Sequence, residues 1–137
     1  MKLEFFMPMA KVPTATGQER GVNRKTGAYY EHDDAKLSRA KLRAHLGPSR
    51  PNRPLSGPIR LTVKWCFPET KTHPAGSWKT SRPDTDNLLK LLKDEMTYLG
   101  YWKDDAQVCS ELSEKFYWEI SGVFVRIEEI GDGDHER

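Results

Sequence analysis

The sequence predicts an α+β fold: a single domain with a mixed or antiparallel sheet of about four to five strands and two main helices. Three observations carry this. Apolar and polar residues alternate in several short runs, the period of half-buried strands. One stretch, Leu88 to Leu99, repeats instead at helical spacing, and a second, Ala35 to Leu46, follows a candidate acidic helix cap. The chain has 137 residues, enough for one core and too few for two.

Leu3, Phe5 and Met7 alternate against Lys2, Glu4 and Phe6, which reads as a core strand closed or placed at an edge by Pro8. From Lys11 to Gly27 there is no apolar period, so this segment reads as a loop or the tip of a hairpin. Gly27 to Tyr30 is a short β-like run, after which Asp33 or Asp34 can cap a helix from Ala35 to Leu46. Leu37 and Leu42 of that helix point in different directions, and its polar residues include Lys36, Arg39, Lys41, Arg43 and His45. Pro48, Pro51, Pro54 and Pro58 make the next segment an extended connection.

Ile59, Leu61, Val63, Trp65 and Phe67 form the clearest half-buried strand and are expected at the centre of the sheet. Glu69 to Arg82 reads as a loop containing His73, Trp78 and Lys79; Trp78 suits either stacking on an exposed base or anchoring in the core. After a second helix, Val108, Leu112, Phe116 and Trp118 keep strand parity. Val123, Val125 and Ile127 do so again beyond a turn at Ser121-Gly122, predicting a terminal antiparallel hairpin. The domain should span residues 1–130, with the Gly- and Asp-containing tail 131–137 disordered.

A charged fraction of 31% beside 36% hydrophobic residues is that of an ordinary soluble protein. No apolar run approaches the roughly 20 residues of a membrane span, and the N-terminus has no apolar signal segment, so a cytoplasmic location without membrane contact is expected. Cys66 and Cys109 both fall in predicted strands with no partner at metal-ligand spacing, as reduced structural cysteines do. The net charge of +2 hides an asymmetry: residues 1–82 hold 16 Lys or Arg against 6 Asp or Glu, and the remainder 6 against 14. A basic half and an acidic half suit a protein that grips phosphates with one region and cations with another; two solvated faces that neutralise each other are the alternative.

The acidic half opens with Arg82-Pro83-Asp84-Thr85-Asp86-Asn87-Leu88-Leu89-Lys90. Pro83 favours an extended approach, and Asp84 or Asp86 can cap the helix that follows. Leu88, Leu92, Met96 and Leu99 make one helical stripe; Asp86, Lys90, Lys93 and Thr97 make the opposite face, so an ammonium lies one turn from a carboxylate. Gly100 is placed to end the helix, and Asp104-Asp105-Ala106-Gln107-Val108 follows. If the two acidic groups meet, the shared volume calls for a hard cation. Oxygen ligands with no His or Cys favour Mg²⁺, with Mn²⁺ as a substitute, over Zn²⁺.

Pro-Asp-x-Asp-Asn-x-x-Lys, a helix, a Gly and then Asp-Asp-x-Gln-Val resembles the signature of the RusA-type Holliday-junction resolvases, with every position filled between Arg82 and Val108. The resemblance implies a homodimeric, Mg²⁺-dependent endonuclease of bacterial or phage origin that cuts four-way DNA junctions symmetrically in recombination and repair. By position it implies Asp84, Asp86 and Asp105 as metal-binding carboxylates, with Asp104 a second candidate for the third, and Lys90 as the functional lysine. Asn87 is the supporting residue, orienting a carboxylate or capping the helix. Arg20, Arg24, Lys25, Arg39, Arg43, Lys79 and Arg82 are candidates for contact with the DNA backbone.

Overall fold

The structure, a computed structural model, describes residues 1–14, 20–22, 25–26, 29–31 and 33–133; for 20–22, 29–31, 33 and 34 it describes the backbone alone. The elements run β1 (Lys2–Pro8), β2 (Arg20–Val22), β3 (Tyr29–Glu31), α1 (Asp33–Leu46), β4 (Ile59–Pro68), α2 (Thr85–Tyr98), β5 (Val108–Trp118) and β6 (Gly122–Glu129). Four strands form one mixed sheet in the order β1-β6-β4-β5, and β2 pairs with β3 as a separate antiparallel ribbon. This is the α+β architecture expected from the sequence, with β4 inside the sheet. No helix among the described residues is long and apolar enough to cross a membrane.

Alternation decides which face of the sheet is covered. Leu3, Phe5 and Met7 of β1 pair with Ile127, Val125 and Val123 of β6, which in turn pair with Leu61, Val63 and Trp65 of β4. These side chains join Leu42 and Leu46 of α1 and Leu88, Leu92 and Met96 of α2 in one core, so both helices cover the same face. Leu42 is fully buried whereas Leu37 is exposed, which confirms their divergent directions. The helix starts at Asp33, so Asp33 and Asp34 stand in its first turn, not ahead of it as caps.

The terminal hairpin expected of β5 and β6 is not formed, because β4 lies between them. β5 runs parallel to β4 and β6 antiparallel to it. Composition explains the choice. The helix-facing row of β5 includes Glu111, Ser113 and Lys115, tolerable at a sheet edge, whereas β6 offers Val123, Val125 and Ile127 for an interior place. The parity assigned to β5 also fails beyond its first residue. A register irregularity opposite Ile59/Arg60 follows Val108, after which Leu112 and Trp118 fall on the uncovered face, 49% and 44% exposed, and Tyr117 becomes the buried residue.

Both cysteines are free. Cys66 is buried, and burial raises its thiol pKa by disfavouring the thiolate, whereas Cys109 is exposed. A thiol reagent at neutral pH should therefore titrate one cysteine quickly and the second only on unfolding; two equally fast thiols would contradict the burial.

Gly122 opens β6 directly opposite Pro8. A Cβ there would lie 2.4 Å from the Met7 carbonyl oxygen and 2.9 Å from the Pro8 Cα, whereas one at Gly100 would meet nothing within 4 Å. Gly122→Ala should cost about 3 kcal/mol or more in denaturant unfolding, since backbone cannot step aside. Gly100→Ala, strained only by its positive φ, should cost about 1–2 kcal/mol. Equal losses would show that β1 does not approach β6 this closely.

Candidate active site

Asp84 occupies the N-cap position of α2, with extended backbone and its carbonyl accepting the Leu88 N–H at 3.1 Å. Its carboxylate makes no capping hydrogen bond, contrary to the cap expected from the sequence. Asp84 and Asp86, in the first turn, are both exposed, and Asn87 is half-buried. Lys90 is exposed one turn later and makes no ion pair among the described residues, so the salt bridge to Asp86 that the spacing permits is absent. Two carboxylates and an ammonium thus stand uncommitted at a helix N-terminus.

The loop leading to them is held by β5. Lys115 Nζ donates to the carbonyls of Ser81 and Pro83, the latter at 2.7 Å. Ser113 Oγ accepts from Trp65 Nε1 at 3.1 Å and faces the Thr85 carbonyl at 3.5 Å. Backbone bonds from Lys79 N to Lys115 O, from Tyr117 N to Ser77 O and from Gly76 N to Tyr117 O lay residues 76–79 along the outer edge of β5. The sequence reading passed over Lys115; its only signal was a lysine on the strand row that turned out to face the helices. One ammonium ties together the two carbonyls that precede Asp84.

α1 braces the helix from its other side. Glu95 of α2, almost fully buried, accepts from Arg43 Nε at 2.7 Å and lies 3.6 Å from Arg39, which also reaches Asp94 at 3.6 Å. The hydrogen bond to Glu95 holds the Arg43 guanidinium more firmly protonated, and the same group stacks 3.8 Å from the Tyr98 ring centre. Arg39 and Arg43, expected at the DNA backbone, thus face α2 carboxylates.

At the far end, Gly100 closes α2 with positive φ. Tyr101 N bonds to Met96 O and Gly100 N to Thr97 O, a Schellman ending. Trp102 donates to Thr97 Oγ1 at 2.7 Å. Asp104 then caps a short 3-10 turn (Asp105–Gln107), accepting from Ala106 N at 2.9 Å. Gln107 Oε1 accepts from the backbone N–H groups of Lys103 and Asp104, and its Nε2 donates to the carbonyls of Leu55 and Gly57. Asp104 is therefore committed to structure, while Asp105 is exposed and free of such bonds.

The two acidic groups do not meet within the chain. α2 connects parallel strands and returns along them, so its start lies beside Lys115 and its end leads to Val108. Fourteen residues of helix span about 21 Å. Among the described residues no three His, Cys, Asp or Glu side chains converge on a metal-sized position.

Trp78 is 64% exposed, edge-on to Phe116 with ring centres 6.1 Å apart, which rules out a core anchor. Lys79 reaches Ser81 Oγ, Arg82 is exposed, and His73 stacks on Tyr117. Lys25 is an exposed turn residue; Arg20 lies in β2 with its backbone alone described, and Arg24 lies outside the described residues.

Comparison with known proteins shows the family. The family model for endodeoxyribonuclease RusA matches residues 6–128. The chain is 33% identical over 132 residues to the crossover junction endodeoxyribonuclease rusA of Lactococcus phage r1t, covering 95% of this chain and 100% of that protein. It is 34% identical over 131 residues to the protein YqaN of Bacillus subtilis (strain 168), covering 86% and 91%. The matched span covers most of the chain and contains both acidic groups, and the chain belongs to the RusA family of endodeoxyribonucleases.

Proposed function

We propose that this endodeoxyribonuclease is a divalent-metal-dependent resolvase that cuts four-way DNA junctions symmetrically as a homodimer. The observation that carries the reading is the pair of uncommitted carboxylates, Asp84 and Asp86, one turn from the free ammonium of Lys90. Exposed oxygen ligands of this kind fit a hard cation, Mg²⁺ or Mn²⁺. When bound, such an ion supplies an activated water and stabilises charge on the phosphate.

The chain's own residues supply the rest. Asp84 and Asp86 would hold the ion and Asn87 would orient a carboxylate; Asp105, at the other end of α2, is the remaining candidate carboxylate. Lys90 neutralises charge that develops on the scissile phosphate. Lys115 fixes the Ser81–Pro83 backbone and so the position of Asp84. Lys79 and Arg82, with Arg20, Arg24 and Lys25 of the basic half, contact the DNA backbone, and Trp78 stacks on a base exposed at the crossover. Arg39 and Arg43 act by holding α2 in place. Two equivalent strands at a junction call for two sites related by a two-fold axis, hence the homodimer.

On a labelled four-way junction with Mg²⁺, the protein should make symmetric nicks that disappear with chelator and fall at least ~100-fold in Asp86→Asn. Equal cutting of a flap and a linear duplex would replace junction selectivity with general structure-selective nuclease activity. Salt-sensitive binding without cutting, unchanged in Asp86→Asn, would leave only a DNA-binding protein.

Lys115→Met should lower kcat by roughly tenfold or more with little change in junction affinity, through misplacement of Asp84. Lys115→Arg should recover most of it. An unchanged kcat in Lys115→Met would remove this lysine from the account.

A further inference from the structure

Resting on the nuclease reading above, we infer that the connection between α1 and β4 is a preformed seat for the phosphate backbone of a duplex arm of the junction, with Arg50 and Arg53 as its charge donors. Pro48, Pro51, Pro54 and Pro58 limit the backbone freedom of this segment, and both arginines stand among them. The chain leaves α1 through a 3-10 turn (Gly47–Ser49), and Arg50 then takes φ −62° and ψ 144°, in the polyproline range. At the far end Leu55 is buried, its N–H donates to the Tyr101 carbonyl at 2.8 Å, and Gln107 Nε2 donates to the carbonyls of Leu55 and Gly57 at 3.0 and 3.1 Å. The segment is stiff and fastened before any ligand arrives, so binding orders little new backbone.

Its donors point to a phosphate chain. Arg50, Asn52, Arg53 and Ser56 are exposed, and with Ser49 they line a groove of about 480 Å³ whose one carboxylate is that of Glu129. Neither guanidinium pairs with a carboxylate among the described residues, whereas Arg39 and Arg43 of the preceding helix are taken by Glu95. The groove therefore keeps an excess of positive charge. Arginine forks bind phosphate oxygens through two parallel N–H donors, and the hydroxyl and amide groups between them suit the intervening oxygens.

Position adds a reason for cations here. Gln107 ties the connection to the turn that carries Asp104 and Asp105, in the half of the chain that holds 14 acidic residues against 6 basic ones. Carboxylates repel a passing phosphate chain, and Arg50 and Arg53 offset that repulsion where the connection meets the turn.

Salt-dependent binding tests the inference. A labelled four-way junction and a labelled linear duplex are each titrated by fluorescence anisotropy, in chelator and over a series of salt concentrations. The double variant Arg50→Gln/Arg53→Gln should bind both DNAs about tenfold more weakly at low salt, and its slope of log affinity against log salt should be shallower by about 2. Its unfolding midpoint should match that of the unmodified protein, because both side chains are exposed and unpaired. Arg50→Lys/Arg53→Lys should restore the slope, since it keeps both charges. An unchanged slope in the glutamine variant would overturn the inference, as would a loss confined to the junction with duplex binding intact. If the protein binds DNA through these arginines but cuts no junction, this surface stands and the nuclease reading falls, which separates the two failures.

Discussion

The parallel pairing of β4 with β5 constrains everything else in this molecule. A parallel pair cannot be closed by a tight turn, so the chain must travel the length of the sheet between them, and it does so as α2. From that follow the position of Asp84 and Asp86 at the Phe67 end of β4, the position of Asp104 and Asp105 at the Ile59 end, and the buried stripe that fastens the helix between. β5 then becomes the edge of the sheet, since β6 takes the interior place on the other side of β4.

An edge strand is usually a liability. Here its helix-facing row is put to use: Glu111 pairs with Lys93, Ser113 links Trp65 to the start of α2, and Lys115 fastens the loop before Asp84. The polar character that excludes β5 from the interior is the same character that positions the acidic loop. On the opposite side, the almost buried Glu95 is compensated by two arginines of α1, and this ties the helix orientation to an ionic contact with little tolerance for loss of one partner. The acidic helix is thus held at three places: an apolar face, a strand of polar side chains and an ion pair.

Much of this was legible from local signals. The alternation of β4, the leucine stripe of α2, the glycine that ends it and the divergent Leu37 and Leu42 all depend on neighbours a few residues away, and all hold. Strand partnership was not legible, because Trp118 and Gly122 are close enough in sequence to suggest a hairpin and only competition for the place beside β4 decides against it. One bulge after Val108 reversed the facing of the rest of β5, and no periodicity argument reveals that. The site residues were found through their pattern, but whether the two ends of α2 meet depends on chain reversal in space, which the spacing of Asp86 and Asp105 does not encode. Lys115 escaped notice because its partners are carbonyls, invisible in a sequence.

The central claim is that Asp84 and Asp86 at the start of α2 hold the cation that the cleavage needs, and the most direct measurement is the position of Mn²⁺ by anomalous diffraction. The crystals should hold the protein bound to a junction, with Asp84, Asp86 and Lys90 all unaltered. The account predicts a peak within about 2.2 Å of a carboxylate oxygen of Asp84 or Asp86. A peak that neither carboxylate touches, or no peak at all, would contradict it.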